Sequence, residues 1–101
     1  FVDGIYAISA SDQPVDRAVA AQAADDLMNI TGVAGSFVLS PFGGAINISA
    51  RSLGRVNVQL IMEKLGGGGH FTTAGAQLQG KTLQEAVNLL KDAIMLYNYE
   101  Q

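Results

Sequence analysis

The chain has 101 residues, of which 49% are hydrophobic and 15% are charged, and its formal net charge is −3. This composition fits one folded domain and excludes a disordered segment, and the lack of cysteine excludes a disulfide scaffold or a cysteine-ligated zinc site. Residues 51–70 carry a net charge of +2, so the rest of the chain carries −5. Such a local positive zone suits a small anionic ligand better than broad contact with DNA.

The first predicted elements are a strand over residues 2–8 and an alanine-rich helix. Ser11 or Asp12 is expected to cap this helix, Pro14 to lie in its first turn, and Gly32 to end it. Because the chain opens on a strand without an initiator Met, we expect one domain, residues 1–101, of a longer protein. The helical stripe predicted to face the core consists of Val15, Val19, Ala23, Leu27 and Ile30.

A β-hairpin is predicted over residues 35–52. Its first strand covers residues 35–40, and Pro41-Phe42-Gly43-Gly44 is expected to form the turn. The second strand, residues 45–52, alternates in polarity, so its apolar and polar side chains point to opposite faces. The apolar positions are Ile46, Ile48 and Ala50, and the polar positions are Asn47, Ser49 and Arg51.

The remaining elements are a short helix over residues 57–65, a strand over residues 75–79 and a C-terminal helix. A helical turn is expected to start at His70, and Thr82 with Glu85 forms a capping box for the last helix. The order β-α-β-β-α-β-α predicts a two-layer α/β domain, with helices packed on a mixed β-sheet. The inward side chains of the last helix are predicted to be Leu83, Ala86, Val87, Leu90, Ile94 and Tyr97.

Four consecutive glycines precede His70, the single histidine of the sequence. Glycine is costly to order, and successive glycine N–H groups can form a nest for an anion. Arg51 offers a planar set of donors that matches a phosphate group. The run can also be a plain connector, Arg51 a solvated strand-end residue and His70 a structural or exposed side chain. The joint occurrence favours an anion-binding site.

The residues needed for nucleoside-triphosphate hydrolysis, for a dinuclear metal centre and for a Ser–His pair are missing from the sequence. Neither Lys nor Ser/Thr follows the glycine run as a Walker loop requires, which leaves no indication of that type of nucleoside-triphosphate hydrolysis. One histidine and scattered acids do not make a dinuclear metal centre, and His70 has no acidic partner nearby for a Ser–His pair. We therefore expect no catalytic residue and no metal ligand in this chain.

The string from Ser49 to Gln59, the segment Ile61-Met62-Glu63-Lys64-Leu65 and the glycine run with its histidine resemble the DHHA1 domain of DHH-family phosphoesterases. The glycines before His70 are shared across that superfamily. The longer string resembles the membrane-anchored cyclic-di-AMP phosphodiesterases of Gram-positive bacteria, the GdpP type, and the resemblance covers nearly the whole chain.

The resemblance implies a division of labour. A separate N-terminal DHH domain, with an Asp-His-His motif and two manganese ions, would hydrolyse cyclic-di-AMP to linear pApA. This domain would close over that centre and hold the nucleotide, at the cytoplasmic face of a membrane-anchored parent protein. By match of position, the substrate-binding residues would be Arg51, Ser52, Gly66, Gly67, Gly68, Gly69 and His70.

Two alternatives stay open within the same resemblance. The substrate can be a short oligoribonucleotide or 3′-phosphoadenosine phosphate, as in the nanoRNase branch. The domain can also be a non-catalytic RNA-binding module, as in alanyl-tRNA synthetases, although the negative net charge argues against that reading. The oligomeric state, a homodimer included, stays open as well.

Overall fold

The fold is a five-stranded mixed β-sheet with three helices, seen in a computed structural model that describes residues 4–101. The predicted fold class, a mixed sheet with helices packed on it, is confirmed. In chain order the elements are β1 (Tyr6–Ala10), α1 (Arg17–Leu27), β2 (Gly35–Phe42), β3 (Ala45–Ser52), α2 (Val58–Glu63), β4 (Gly68–Gly69), β5 (Thr73–Gln79) and α3 (Leu83–Glu100).

The strands lie side by side in the order β1-β2-β3-β5-β4. β1 pairs with β2 in parallel, and the other three pairings are antiparallel. The parallel pair requires a crossover, which α1 provides. β3 therefore lies at the centre of the sheet, between β2 and β5.

The first strand and the first helix both begin later than predicted. The strand covers Tyr6–Ala10 instead of residues 2–8, of which residues 2 and 3 lie outside the described part. The helix N-cap is Asp16, whose Oδ1 accepts a hydrogen bond from the Ala18 N–H at 2.7 Å. Ser11 closes a local turn by accepting from the Gln13 N–H, so the predicted caps were wrong and Pro14 precedes the helix.

The predicted inward stripe of α1 was also wrong in part. Val19 is 59% exposed and Ile30 lies beyond the helix end, whereas Ala20 and Ala24 are fully buried. The small alanines let the helix approach β2 closely, and the Ser36 hydroxyl donates to the Ala24 carbonyl at 2.6 Å. The buried face of α1 is the one whose small side chains allow the helix to pack closely on β2, and a hydropathy pattern does not show which face that is.

The β2–β3 hairpin is confirmed, with a tighter turn than predicted. Pro41 and Phe42 continue β2, and Gly43 and Gly44 alone form the connection, both with positive φ. Two consecutive residues of that conformation make the two-residue turn that suits the twist of a hairpin.

The segment after α2 differs from the prediction. Gly68 and Gly69 form β4, a short edge strand against β5, which is an additional strand in the element order. His70 and Thr73 exchange backbone hydrogen bonds, so a tight turn replaces the predicted helical turn. β5 consequently begins at Thr73, two residues before the predicted start.

The two faces of the sheet differ. α2 and α3 cover one face and enclose the main core, to which Phe37, Ile48 and Leu90 belong. The inward residues predicted for α3 all belong to this core or pack against it, and the predicted capping box is present. On the opposite face α1 packs over β2 through Ala20, Ala24 and Val38. The part of that face over β3 and β5 is left open.

Candidate functional site

The open part of the sheet forms the floor of a groove of about 660 Å³. α1 makes one wall and the first part of the glycine run makes the opposite wall. The side chains and backbone that line it come from α1, β3, the glycine run and β5: Arg17, Ala21, Asn47, Ile48, Ser49, Arg51, Gly66, Gly67, Gly68, Ala74, Gly75, Ala76, Gln77 and Gln79.

The polar face of β3 supplies the centre of the floor, as the alternation in the sequence predicted. Asn47, Ser49 and Arg51 line the groove, while the intervening Ile48 and Ala50 belong to the core. In the antiparallel register Ser49 lies opposite Gly75 of β5, where no side chain rises from the floor. The floor of the groove is therefore polar and carries no side chain at Gly75, next to Ser49.

Arg51 is held at one end of the groove by two contacts. Its Nε donates to Asp25 Oδ1 of α1 at 3.0 Å, and its Nη1 donates to the carbonyl of Ala50 at 2.8 Å. A guanidinium carries five N–H donors, so three remain for a ligand. The Arg51 side chain is 17% exposed, which restricts its rotamers and fixes where those donors point.

Arg17 is a groove residue that the sequence interpretation missed. It shares one side of α1 with Ala21 and Asp25, at spacings of four residues. Its guanidinium lies 5.9 Å from the ring centroid of Phe42 at the hairpin tip. The four-residue spacing would have indicated it only if the helix had been known to begin at Arg17.

The basic zone predicted around the glycine run is dispersed by the fold. Arg55 is exposed in the loop before α2 and does not line the groove. Lys64 forms an ion pair with Glu100 of α3. Arg51 is thus the one member of that zone in the groove. The second positive charge comes from Arg17, which lies in the part of the chain whose net charge is negative.

The backbone of the glycine run is less free than an anion nest requires. The N–H groups of Gly66 and Gly67 donate to the carbonyls of Glu63 and Met62, and the His70 N–H donates to Thr73. In an antiparallel ladder, hydrogen-bonded and non-hydrogen-bonded pairs alternate. His70 and Thr73 form a bonded pair, so the next pair, Gly69 with Ala74, is not bonded and the Gly69 N–H points away from β5. The expectation of several convergent free donors is therefore corrected.

The glycines of the run differ in the space that surrounds each of them. A Cβ on Gly67 would lie 2.1 Å from the Gly75 carbonyl oxygen, and one on Gly69 would lie 2.6 Å from the Ala74 Cα. Gly66 has a positive φ of 81°. Gly68 has open space, has no positive φ and lines the groove, so nothing within the described chain requires glycine there.

Three of the seven predicted binding residues lie outside the groove lining. The Ser52 hydroxyl is buried and donates to the Val56 carbonyl at 2.6 Å, away from the open face. Gly69 and His70 follow the groove wall, and His70 is exposed at the turn between β4 and β5. The structure brings together Arg51, Gly66, Gly67 and Gly68; ligand contacts by all seven residues stay predictions.

Residues 4–101 contain no cluster of three or more His, Cys, Asp or Glu side chains that could hold a metal ion. Within the same residues no helix is long and apolar enough to cross a membrane. The polar side chains of the groove, two guanidinium groups, three carboxamides and one hydroxyl, suit an anionic ligand with hydrogen-bonding edges.

Comparison with known proteins finds relatives of this chain. The family model for the DHHA1 domain matches residues 3–96. The cyclic-di-AMP phosphodiesterase GdpP of Geobacillus thermodenitrificans is 55% identical over 83 residues, which is 81% of this chain and 13% of that protein. The cyclic-di-AMP phosphodiesterase PdeA of Listeria monocytogenes is 49% identical over 87 residues, 85% of this chain and again 13% of that protein.

The fold also matches a solved structure. An exopolyphosphatase-related protein from Bacteroides fragilis superimposes with a TM-score of 0.79 at 24% identity, over 91% of this chain and 29% of that one. At that identity the likeness concerns the fold alone. The chain spans 13% of the length of the two curated relatives described above.

Proposed function

The chain belongs to the DHHA1 domain family, and on that premise we propose that it is the substrate-binding domain of a manganese-dependent phosphodiesterase that hydrolyses cyclic-di-AMP to linear pApA. The observation that carries this proposal is the groove. Two arginines line it, and none of its lining residues, all within the described range, is acidic. The similarity to two cyclic-di-AMP phosphodiesterases supports the choice of substrate.

Arg51 is the residue that we expect to bind a phosphodiester, and Gly68 leaves space for it. The three guanidinium N–H groups left on Arg51 can make a charge-assisted, bidentate contact with the two non-bridging oxygens. Gly68 faces the same groove without a side chain, so it leaves room for a phosphate beside Arg51. Arg17 adds positive charge on the opposite wall.

Hydrolysis would be the task of another domain. In line with the resemblance to DHH-family phosphoesterases, we propose that the manganese ions are held by an Asp-His-His domain outside this chain. There they would lower the pKa of a bound water and generate the nucleophile. The role of this chain is to bind and orient the dinucleotide. We also propose that the whole protein is attached to the membrane, with this domain at the cytoplasmic face.

The test compares two arginine variants in a protein that joins this chain to the catalytic domain. Arg51→Ala is expected to lower kcat/KM for cyclic-di-AMP about tenfold to a hundredfold, the size of a lost hydrogen bond to a charged group. Arg55→Ala removes the same charge from an exposed loop outside the groove and is the matched control. Equal rates for Arg51→Ala and the control would contradict the proposal.

Substrate class is decided in the same assay. Faster turnover of a linear trinucleotide than of cyclic-di-AMP would favour the alternative, a nanoRNase-type enzyme. Binding to tRNA with a steep salt dependence would favour an RNA-binding module, because that dependence reports many phosphate contacts.

A further inference from the structure

A row of polar side chains crosses the floor of the groove. Ser40, Asn47 and Gln77 occupy one row across β2, β3 and β5, because Ser40 pairs with Asn47 and Asn47 pairs with Gln77. All three lie on the face opposite the main core. Asn47 and Gln77 line the groove beside the wall made by α1.

Two members of this row make no side-chain hydrogen bond within residues 4–101. Asn47 is 8% exposed as a residue, but its carboxamide is not fully buried and faces the groove. The hydroxyl of the neighbouring Ser40 is fully buried and unpaired as well. Ser36 on the same face shows the usual outcome, since its hydroxyl bonds to α1. A polar group that faces the groove without a protein partner is free to hydrogen-bond a ligand, and the Asn47 carboxamide is such a group.

The chemistry of a carboxamide indicates the ligand group. Asn and Gln each present a donor and an acceptor in one plane, which matches the adjacent donor N6 and acceptor N7 of adenine. The same edge of guanine offers two acceptors, N7 and O6, and is a poorer match. Two carboxamides directly opposite on neighbouring strands have Cβ atoms about 5 Å apart, close enough to act on one base.

The position of the row relative to Arg51 agrees with a nucleotide. Asn47 lies four residues before Arg51 on the same face of β3, or about 13 Å along the strand. That distance is of the order of the span of an extended nucleotide together with the hydrogen bonds at its two ends. A phosphate at Arg51 and Gly68 would therefore place its base over Asn47 and Gln77.

We propose that Asn47 and Gln77 form a nucleobase subsite that recognises the hydrogen-bonding edge of adenine. This inference rests on the proposed function, because it takes the phosphate site at Arg51 as its anchor. It adds what that site alone cannot provide, a preference for adenine over guanine.

The experiment is an NMR titration of the 101-residue chain with AMP, GMP and ribose 5-phosphate, following side-chain and backbone N–H resonances. AMP is expected to shift the side-chain amides of Asn47 and Gln77 along with the Arg51 Nε–H and the Gly68 N–H. Ribose 5-phosphate should shift only the latter two. The side-chain amides of Gln84 and Asn88, on α3 beyond the other face of the sheet, should not move with any ligand.

Each other outcome has a defined meaning. If Arg51 and Gly68 respond to AMP while Asn47 and Gln77 do not, the subsite is wrong and the proposed function stands. If no resonance in the groove responds to a nucleotide, both are wrong. Equal shifts of the two amides with AMP and ribose 5-phosphate would also overturn the subsite.

A variant provides an independent measurement. In a protein that joins this chain to the catalytic domain, Asn47→Leu is expected to lower the preference for cyclic-di-AMP over cyclic-di-GMP about tenfold, the effect of one bidentate base contact. The ratio of kcat/KM values is the readout because a general loss of fold affects both substrates alike. Gln84→Met is the matched control, and an unchanged preference in Asn47→Leu would contradict the subsite.

Discussion

Single residues of the glycine run serve different purposes. Gly67 is glycine because β5 leaves no room for a Cβ, and Gly66 because of its backbone conformation. Gly68 has neither reason, which agrees with the proposal that a ligand lies beside it. A run that looks uniform in sequence thus divides into residues needed for folding and one residue suited to binding.

Two alanine substitutions separate these purposes. Gly67→Ala is expected to lower the free energy of unfolding by about 1–3 kcal/mol, because the new methyl group overlaps the Gly75 carbonyl and β5 must shift. Gly68→Ala is expected to change it by less than about 1 kcal/mol, because the Cβ enters open space. Urea unfolding measures both.

Nucleotide affinity gives the complementary result. Gly68→Ala should weaken binding of pApA while leaving the fold intact, since its methyl group projects into the groove. Tight binding by a folded Gly68→Ala protein would contradict the role given to this residue.

At the scale of elements, helix ends are set by local hydrogen bonds. α3 begins with a reciprocal capping box, in which the Glu85 N–H donates to the Thr82 hydroxyl and the Thr82 N–H donates to the Glu85 carboxylate. α1 begins at Asp16, one of several residues in its segment that are able to cap. The first motif is specific in sequence and was predicted, whereas the second became clear only from the backbone.

The capping box gives a pH-dependent prediction. Hydrogen bonds from the Thr82 backbone and side chain hold the pKa of the Glu85 carboxyl below its ordinary value of 4.5. A lowered folded-state pKa stabilises the fold above the unfolded-state pKa, and this contribution is lost as the pH falls through the folded-state value. Glu85→Gln should therefore be less stable than the native chain at pH 7, with the difference vanishing in acid.

Thr82→Ala is the companion variant. It is expected to cost about 1 kcal/mol of stability, as for other caps, and to move the pKa of Glu85 upward. NMR titration of the Glu85 carboxyl and urea unfolding at several pH values check both statements. A pKa of Glu85 that does not rise in Thr82→Ala would contradict the role of the hydroxyl.

At the scale of the molecule, the groove depends on elements that are far apart in sequence. Its wall and floor are joined by the ion pair of Asp25 with Arg51, which are 26 residues apart. The pair occupies one edge of the guanidinium and brings a negative charge next to the groove. Asp25 therefore both orients Arg51 and competes with an anionic ligand for it.

Asp25→Asn tests which effect dominates. Asp25 is 56% exposed, so its ion pair is worth less than about 1 kcal/mol, and the Ala50 carbonyl still holds Arg51. We expect slightly lower stability and affinity for pApA up to about fivefold higher, measured by calorimetry. Asp26→Asn removes the neighbouring charge and is the control. Weaker binding by Asp25→Asn than by the control would show that orientation dominates.

The sequence by itself determined the elements whose signals are local or periodic. The alternation along β3, the apolar stripe of α3 and the Thr82 capping box each specify one structure, so the mixed sheet and its polar face were predicted. The resemblance of the segment around Arg51 and the glycine run to DHHA1 domains was likewise readable from residues alone, and the family match confirmed it.

Only the tertiary structure decided which residues meet in the groove. Arg17 entered it because α1 begins late and packs through alanines, and Ser52 left it because its hydroxyl bonds to Val56. The glycine run lost free donors because the N–H groups of Gly66 and Gly67 bond to carbonyls at the end of α2. These outcomes depend on distances between segments that are remote along the chain, and such distances are set by packing, which residue patterns do not record.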